Sequence, residues 1–124
     1  MAIVHDIPTR NLIVDTVCGS NLDGGSILYF LDNTNVVMAT IGLDTDAFVP
    51  SVNGSATANG FPKSGTVVFA GTVAWFQILN PLLVTKITGT VTIAGGGGDI
   101  ELSSLVYSVG EIINLSSLTY RVPN

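Results

Sequence analysis

TVVFAGTVAWFQIL, residues Thr66 to Leu79, is the longest strand-like run in the chain. Val67, Phe69, Val73 and Trp75 share one parity, and Ala70, Ala74, Phe76 and Ile78 share the other. Successive side chains of a strand point to opposite faces. Apolar residues on both parities therefore predict a strand buried on both faces, with Trp75, Phe76 or both in the core. Gly71 marks a bend or bulge inside it, and Asn80-Pro81 ends it.

The flanking segments speak the same language. Ile27 to Asp32 (ILYFLD) is apolar on both faces, and Val36 to Leu43 (VVMATIGL) follows a turn at Asn33 to Asn35. These two predict a hairpin. After the central run, Ile87 to Ile93 alternates, with Ile87, Val91 and Ile93 inward and Thr88, Thr90 and Thr92 outward. Gly95 to Gly98 predicts a mobile hairpin loop. Ile100 and Leu102 then give way to Leu105 and Tyr107 with a change of parity at Ser103-Ser104. Ser108 to Glu111 turns the chain, and Ile113 and Leu115 give way to Leu118, Tyr120 and Val122 at Ser116-Ser117. A one-residue slip would turn side chains to the wrong face, so both Ser-Ser steps predict bulges or strand corners. Leu43 to Phe61 holds Pro50, Asn53, Gly54, Asn59 and Gly60 and is the main irregular stretch, with a short strand near Ser55 to Ala58.

One helix is predicted, at about residues 6–18. Asp6 suits the N-cap, Pro8 the first turn and Gly19 the position just beyond the end. Ile13, Val14, Val17 and Cys18 fall at helical spacing with Leu12 beside them, leaving Arg10 and Asp15 for water. NLDGGS, Asn21 to Ser26, is a turn. Short strands at even spacing with glycine turns predict an all-β fold, a β-sandwich or jelly roll with one short N-terminal helix. No linker divides residues 1–124, so a single domain is expected.

Composition narrows the function classes. Hydrophobic residues make up 47% of the 124 residues and charged residues only 10%, against about 25% charged in an average domain. With a mean hydropathy of +0.57, part of the surface is expected to pack on a partner chain. The basic residues are Arg10, Lys63, Lys86 and Arg121, scattered in a chain of net charge −5. Such a chain has no basic patch for phosphates or anionic membranes, so neither nucleic acid nor membrane is an expected partner. The uncharged run from Ser64 to Thr85 is broken by Gly65, Gly71, Gln77, Asn80 and Pro81, which argues against a membrane span. The opening MAIVHDIPTR lacks the charge and apolar pattern of a signal peptide.

The residues that could carry chemistry all have plainer readings. His5 is the only histidine and precedes the first predicted element. Cys18 is the only cysteine; it excludes an intrachain disulfide and sits at a helix C-terminus, where the dipole disfavours a thiolate. Asp44 and Asp46 in LDTDAF lack the rest of a calcium loop. Asp23 and Asp99 read as turn residues, and Gly95 to Gly98 lacks the lysine and hydroxyl of a phosphate loop. Trp75, Tyr29, Tyr107 and Tyr120 could stack on a sugar, but their strand patterns place them in the core or an interface. No catalytic residue, cofactor or metal ligand is assigned.

Several segments in order resemble a family of small tailed-bacteriophage virion proteins, the head decoration or cement-like proteins. They are NLIVDTVCGSNLDGGSILYFLD (Asn11 to Asp32), the loosely matched Asp46-Ala47-Phe48, Ala56 to Asn59, GTVAWFQILN (Gly71 to Asn80), Gly89 to Val91, Asp99 to Leu102 and Val109 to Thr119, closing near Pro123. The resemblance covers about residues 9–123. The chain departs from it at NPLLVTKITG, Asn80 to Gly89, where relatives show a charged Asp-Gly turn.

The resemblance implies a non-enzymatic virion structural protein made in the bacterial host cytoplasm. It would bind the major capsid protein on the outer shell and stabilise the head, as a homotrimer. Its feet would be the termini and the Leu43 to Phe61 stretch. The competing class is a tail-associated or receptor- or glycan-binding virion module.

Overall fold

The structure, a computed structural model, describes residues 6–20 and 22–121. His5 and Pro123 lie outside them. The fold is all-β with one short helix, as the strand spacing predicts.

Helix α1 spans Ile7–Asp15. Its first turn leaves backbone N–H groups without helical partners, and the Asp6 carboxylate accepts one of them, from Thr9, at 2.9 Å. Instead of stopping at Gly19, the helix widens into a π-type turn, Thr16–Ser20. Val14 and Cys18, four residues apart, are fully buried, whereas Leu12 lies in solvent. Arg10 does not simply face water: its stem packs over Gly54.

The main sheet has the order β2-β1-β6-β7-β8, with β1 at Ile27–Leu31, β2 at Val37–Gly42, β6 at Trp75–Leu79, β7 at Thr85–Ile93 and β8 at Ile100–Leu102. The predicted β1–β2 hairpin is present and antiparallel. Its turn is built by Asp32, whose carboxylate accepts from the backbone N–H of Thr34 and Val36 and from the Thr34 hydroxyl.

The remaining strands form pairs: β3 (Ser55–Thr57) with β11 (Thr119–Arg121), β4 (Lys63–Thr66) with β10 (Ile112–Leu115), and β5 (Gly71–Thr72) with β9 (Val106–Tyr107). These are segments of one long antiparallel ribbon. From Lys63 opposite Leu115 to Thr72 opposite Val106 the register never slips. Backbone bonds between Val67 and both Glu111 and Gly110 carry it through the gap. Both strands bow out together at Val68 to Ala70 and Ser108 to Gly110. At Asn59 to Pro62 and Ser116-Ser117 the ribbon turns a corner before β3 meets β11. Ser103-Ser104 is where the other strand leaves β8 for the ribbon.

The central run of the sequence is therefore not one strand. Its first part belongs to the ribbon and its second, from Trp75, to the main sheet. The switch falls at Val73 and Ala74, whose N–H groups bond Leu105 and Leu31 respectively. Val67, Val73, Phe76 and Ile78 are buried as expected, but Phe69 on the bow is 58% exposed. A bow lifts side chains off both faces, so parity stops reporting burial there. Ile93, expected inward, is likewise exposed.

Gly65 lets the ribbon cross β2: a Cβ there would collide with the Thr40 carbonyl oxygen. The two layers and the helix share one core, in which Phe30, Leu22, Leu28, Met38, Ile41, Ile78 and Ile113 are the largest fully buried side chains.

The glycine run does not make a hairpin. Strand β8 runs parallel to β7, Val91 opposite Ile100 and Ile93 opposite Leu102. The connection doubles back on itself and is held by side chains: Gly98 N–H donates to the Thr92 hydroxyl and Gly97 N–H to the Glu101 carboxylate.

Candidate functional site

Of the acidic residues singled out in the sequence, Asp23 and Asp99 hold backbone N–H groups. Asp23 accepts from Ala47 N–H at 3.1 Å. Asp99 accepts from the N–H of Thr90 at 2.9 Å and from its hydroxyl. Asp44 forms a 2.6 Å ion pair with Lys63. The Asp46 carbonyl, not its carboxylate, receives the Asn59 amide. Among the described residues no group of three histidine, cysteine or acidic side chains is placed to hold a metal ion.

Cys18 is buried, and burial pushes its thiol up to about 12, helped by Asp15 and Asp23 nearby. It stays protonated, and a thiol rather than a thiolate is a poor nucleophile. Trp75 is half-buried, and its indole N–H donates to the Asp32 carbonyl at 3.0 Å. Burial raises the Tyr107 and Tyr120 hydroxyls. None of these rings lies bare on the surface.

What the surface does carry is apolar. One patch sits on the bow of the ribbon. Register places Phe69 across from Val109; Val68 precedes Phe69 in the chain, Val106 stands opposite Thr72 just beyond the bow, and all four are more than half exposed. The second feature is the β6–β7 hairpin tip, Pro81-Leu82-Leu83-Val84. Leu82 is 83% exposed and Leu83 59%.

The tip is firmly built. The Asn80 side-chain oxygen accepts from the N–H of both Leu82 and Val84 at 3.0 Å. The Asn80 backbone bonds Leu83 and Val84. Leu83 is held at φ 63°, a left-handed conformation that a branched residue rarely adopts.

The third feature is a cleft of about 220 Å³. Phe48, Phe76, Ile78, Ile87, Leu118 and Tyr120 line it, with Asp99 as its charged member. Gly89 lies directly under the Phe76 ring, where any Cβ would collide with it. The absence of a side chain at Gly89 lets the Phe76 ring and the Asp99 carboxylate lie against the β7 backbone.

Sequence reasoning missed both the tip and the cleft. The signal for the tip was present: Asn-Pro followed by three apolar residues with no polar alternation. The cleft joins residues from distant segments and has no local signature.

No helix among the described residues is long and apolar enough to cross a membrane. Comparison with known protein families, with curated proteins and with solved structures finds no match to the chain.

Proposed function

We propose that this chain is a non-enzymatic structural subunit of a tailed-bacteriophage particle. It sits on the outer capsid surface as a homotrimer and clamps neighbouring copies of the major capsid protein. The observation that carries the reading is the distribution of apolar surface. Large side chains lie exposed on the bow, at Val68, Phe69, Val106 and Val109, and again at the hairpin tip. A free monomer would leave this area in water, at about 25 cal/mol per Å², and contiguous apolar patches mark interaction surfaces. The resemblance of the ordered motifs to decoration-like virion proteins is the support for the kind of particle.

Two patches give the subunit two tasks, self-association and attachment. Three attachment points acting together bind far more tightly than one. The Leu43 to Phe61 stretch is a poorer foot than its composition suggests, because hydrogen bonds tie it to the helix and the core.

The test is particle based. Labelled protein should decorate the heads of intact particles in electron microscopy, and particles lacking it should lose DNA at lower temperature. Density confined to the tail would instead support an adhesin or tail module.

A further inference from the structure

We propose that the hairpin tip Pro81 to Val84 of one copy docks in the Phe76–Leu118 cleft of the next, forming the contact that closes the oligomer. The inference rests on the reading of the chain as a self-associating subunit and names the surfaces that do it.

The two features match in shape and chemistry. The tip is a rigid apolar knob: Asn80 fixes its backbone by two side-chain bonds, and Leu82 stands clear of the molecule. Such an anchor loses little freedom on binding. The cleft is its negative. Its 220 Å³ exceeds the roughly 150 Å³ that accommodates a benzene ring, enough for a branched aliphatic side chain, and its floor is Phe48, Phe76 and Ile78. Leu82 and Leu83 do not line their own chain's cleft.

Charge agrees with the pairing. Asp99 is the charged residue of the cleft lining. Lys86 is the charged residue nearest the tip in sequence; it is exposed and forms no ion pair among the described residues. A knob entering the cleft brings Lys86 of one copy toward the rim that carries Asp99 of the next. Knob and cleft are different surfaces, so the contact is heterologous, and heterologous contacts form rings when the rotation closes.

The experiment uses the full chain. In light scattering, wild type should be a closed oligomer and Leu82→Asp a folded monomer or an oligomer at least tenfold weaker, with an unchanged circular dichroism spectrum. Lys86→Glu should weaken association a few-fold at low salt and hardly at all in about 1 M salt. The directional check is cross-linking on a Cys18→Ala background. Chains carrying Leu82→Cys should form disulfides with chains carrying Thr119→Cys when the two are mixed and oxidised, and neither should do so alone.

Leu82→Cys chains linking to each other would mean tip-to-tip contact and overturn the proposal. So would a Leu82→Asp variant that remains fully assembled, or a monomeric wild type. Head decoration measured on particles is a separate readout. If it survives while the tip variant stays oligomeric, the structural role stands and only this interface is wrong.

Discussion

Two loops of this molecule invert what their sequences suggest. Leu43 to Phe61 has a proline, glycines and asparagines and little strand pattern, yet it is fastened down. Asn11 and Asp15 accept from Gly54 and Ser51 N–H, and Ser51 donates back to the helix. Asp23 holds Ala47, and Ala47 and Phe48 are buried. Pro81 to Val84 is apolar throughout, yet each of its residues is exposed. Burial here follows from where backbone groups find partners as well as from hydropathy. A polar side chain can moor a loop to a core, and an apolar one can stand outside when the turn beneath it is satisfied by Asn80.

The sharpest way to break this contrast is to truncate one side chain in each loop. Phe48→Ala should cost about 3–5 kcal/mol, since it empties a core position. At protein concentrations low enough to keep the chain monomeric, Leu82→Ala should change stability by no more than about 0.5 kcal/mol. Urea unfolding of the two variants side by side decides it; equal losses would mean that the tip is packed after all.

Alkaline pH probes the same difference. Cys18 lines a cleft together with Phe48 and Pro50, and its pKa rises from 9.0 to about 12 on folding. A raised value means that the contribution is complete below pH 9 and is lost as pH climbs toward 12, because the unfolded chain ionises first. The slope is at most about 1.4 kcal/mol per pH unit. Hydrogen exchange should show the Leu43 to Phe61 amides opening in that range while the tip is unaffected, and Cys18→Ala should remove the part of the slope that begins near pH 9, leaving the smaller part that the raised Tyr107 and Tyr120 hydroxyls contribute above pH 10. A Cys18→Ala protein with the same alkaline slope would refute the assignment.

Gly60 sharpens the comparison from the backbone side. It has φ 75°, and a Cβ there would strike the Asp44 carboxylate. Gly60→Ala should destabilise by about 1–2 kcal/mol, read as a lower melting temperature.

The smallest effect belongs to Leu83. Its left-handed φ is unfavourable by about 1–2 kcal/mol for a residue with a Cβ, partly offset by the entropy that glycine would lose. Leu83→Gly should therefore stabilise the chain by less than about 1 kcal/mol. A clear loss of stability would show that Leu83 packs within its own chain.

Much of the architecture was legible in the sequence. The helix cap, the β1–β2 hairpin, the strand around Phe76 and the Ser-Ser corners all follow from local chemistry. The division of the central run was not legible. Val73 and Ala74 continue the alternation on either side of them, so nothing local says that their N–H groups bond different layers. The parallel β7–β8 pairing was hidden for a related reason. Parallel neighbours ordinarily need a longer crossover, and here Thr92 and Glu101 hold the glycine loop in a shape that glycines alone do not specify. The candidate site was the least legible part: hydropathy announced a partner surface without saying where the apolar residues would stand.

The long ribbon has a consequence in time. One of its strands, Ser55 to Val73, leaves the ribosome well before the other, Leu105 to Arg121, because synthesis runs from the N-terminus. Until the later strand appears, the earlier one has backbone donors and acceptors with no ladder partner, and such edges invite pairing with other chains. Contacts this far apart in sequence also form slowly. The vulnerable moment in the life of this protein is the interval between its two half-ribbons, and crowding many nascent copies together lengthens the odds against each one closing on itself.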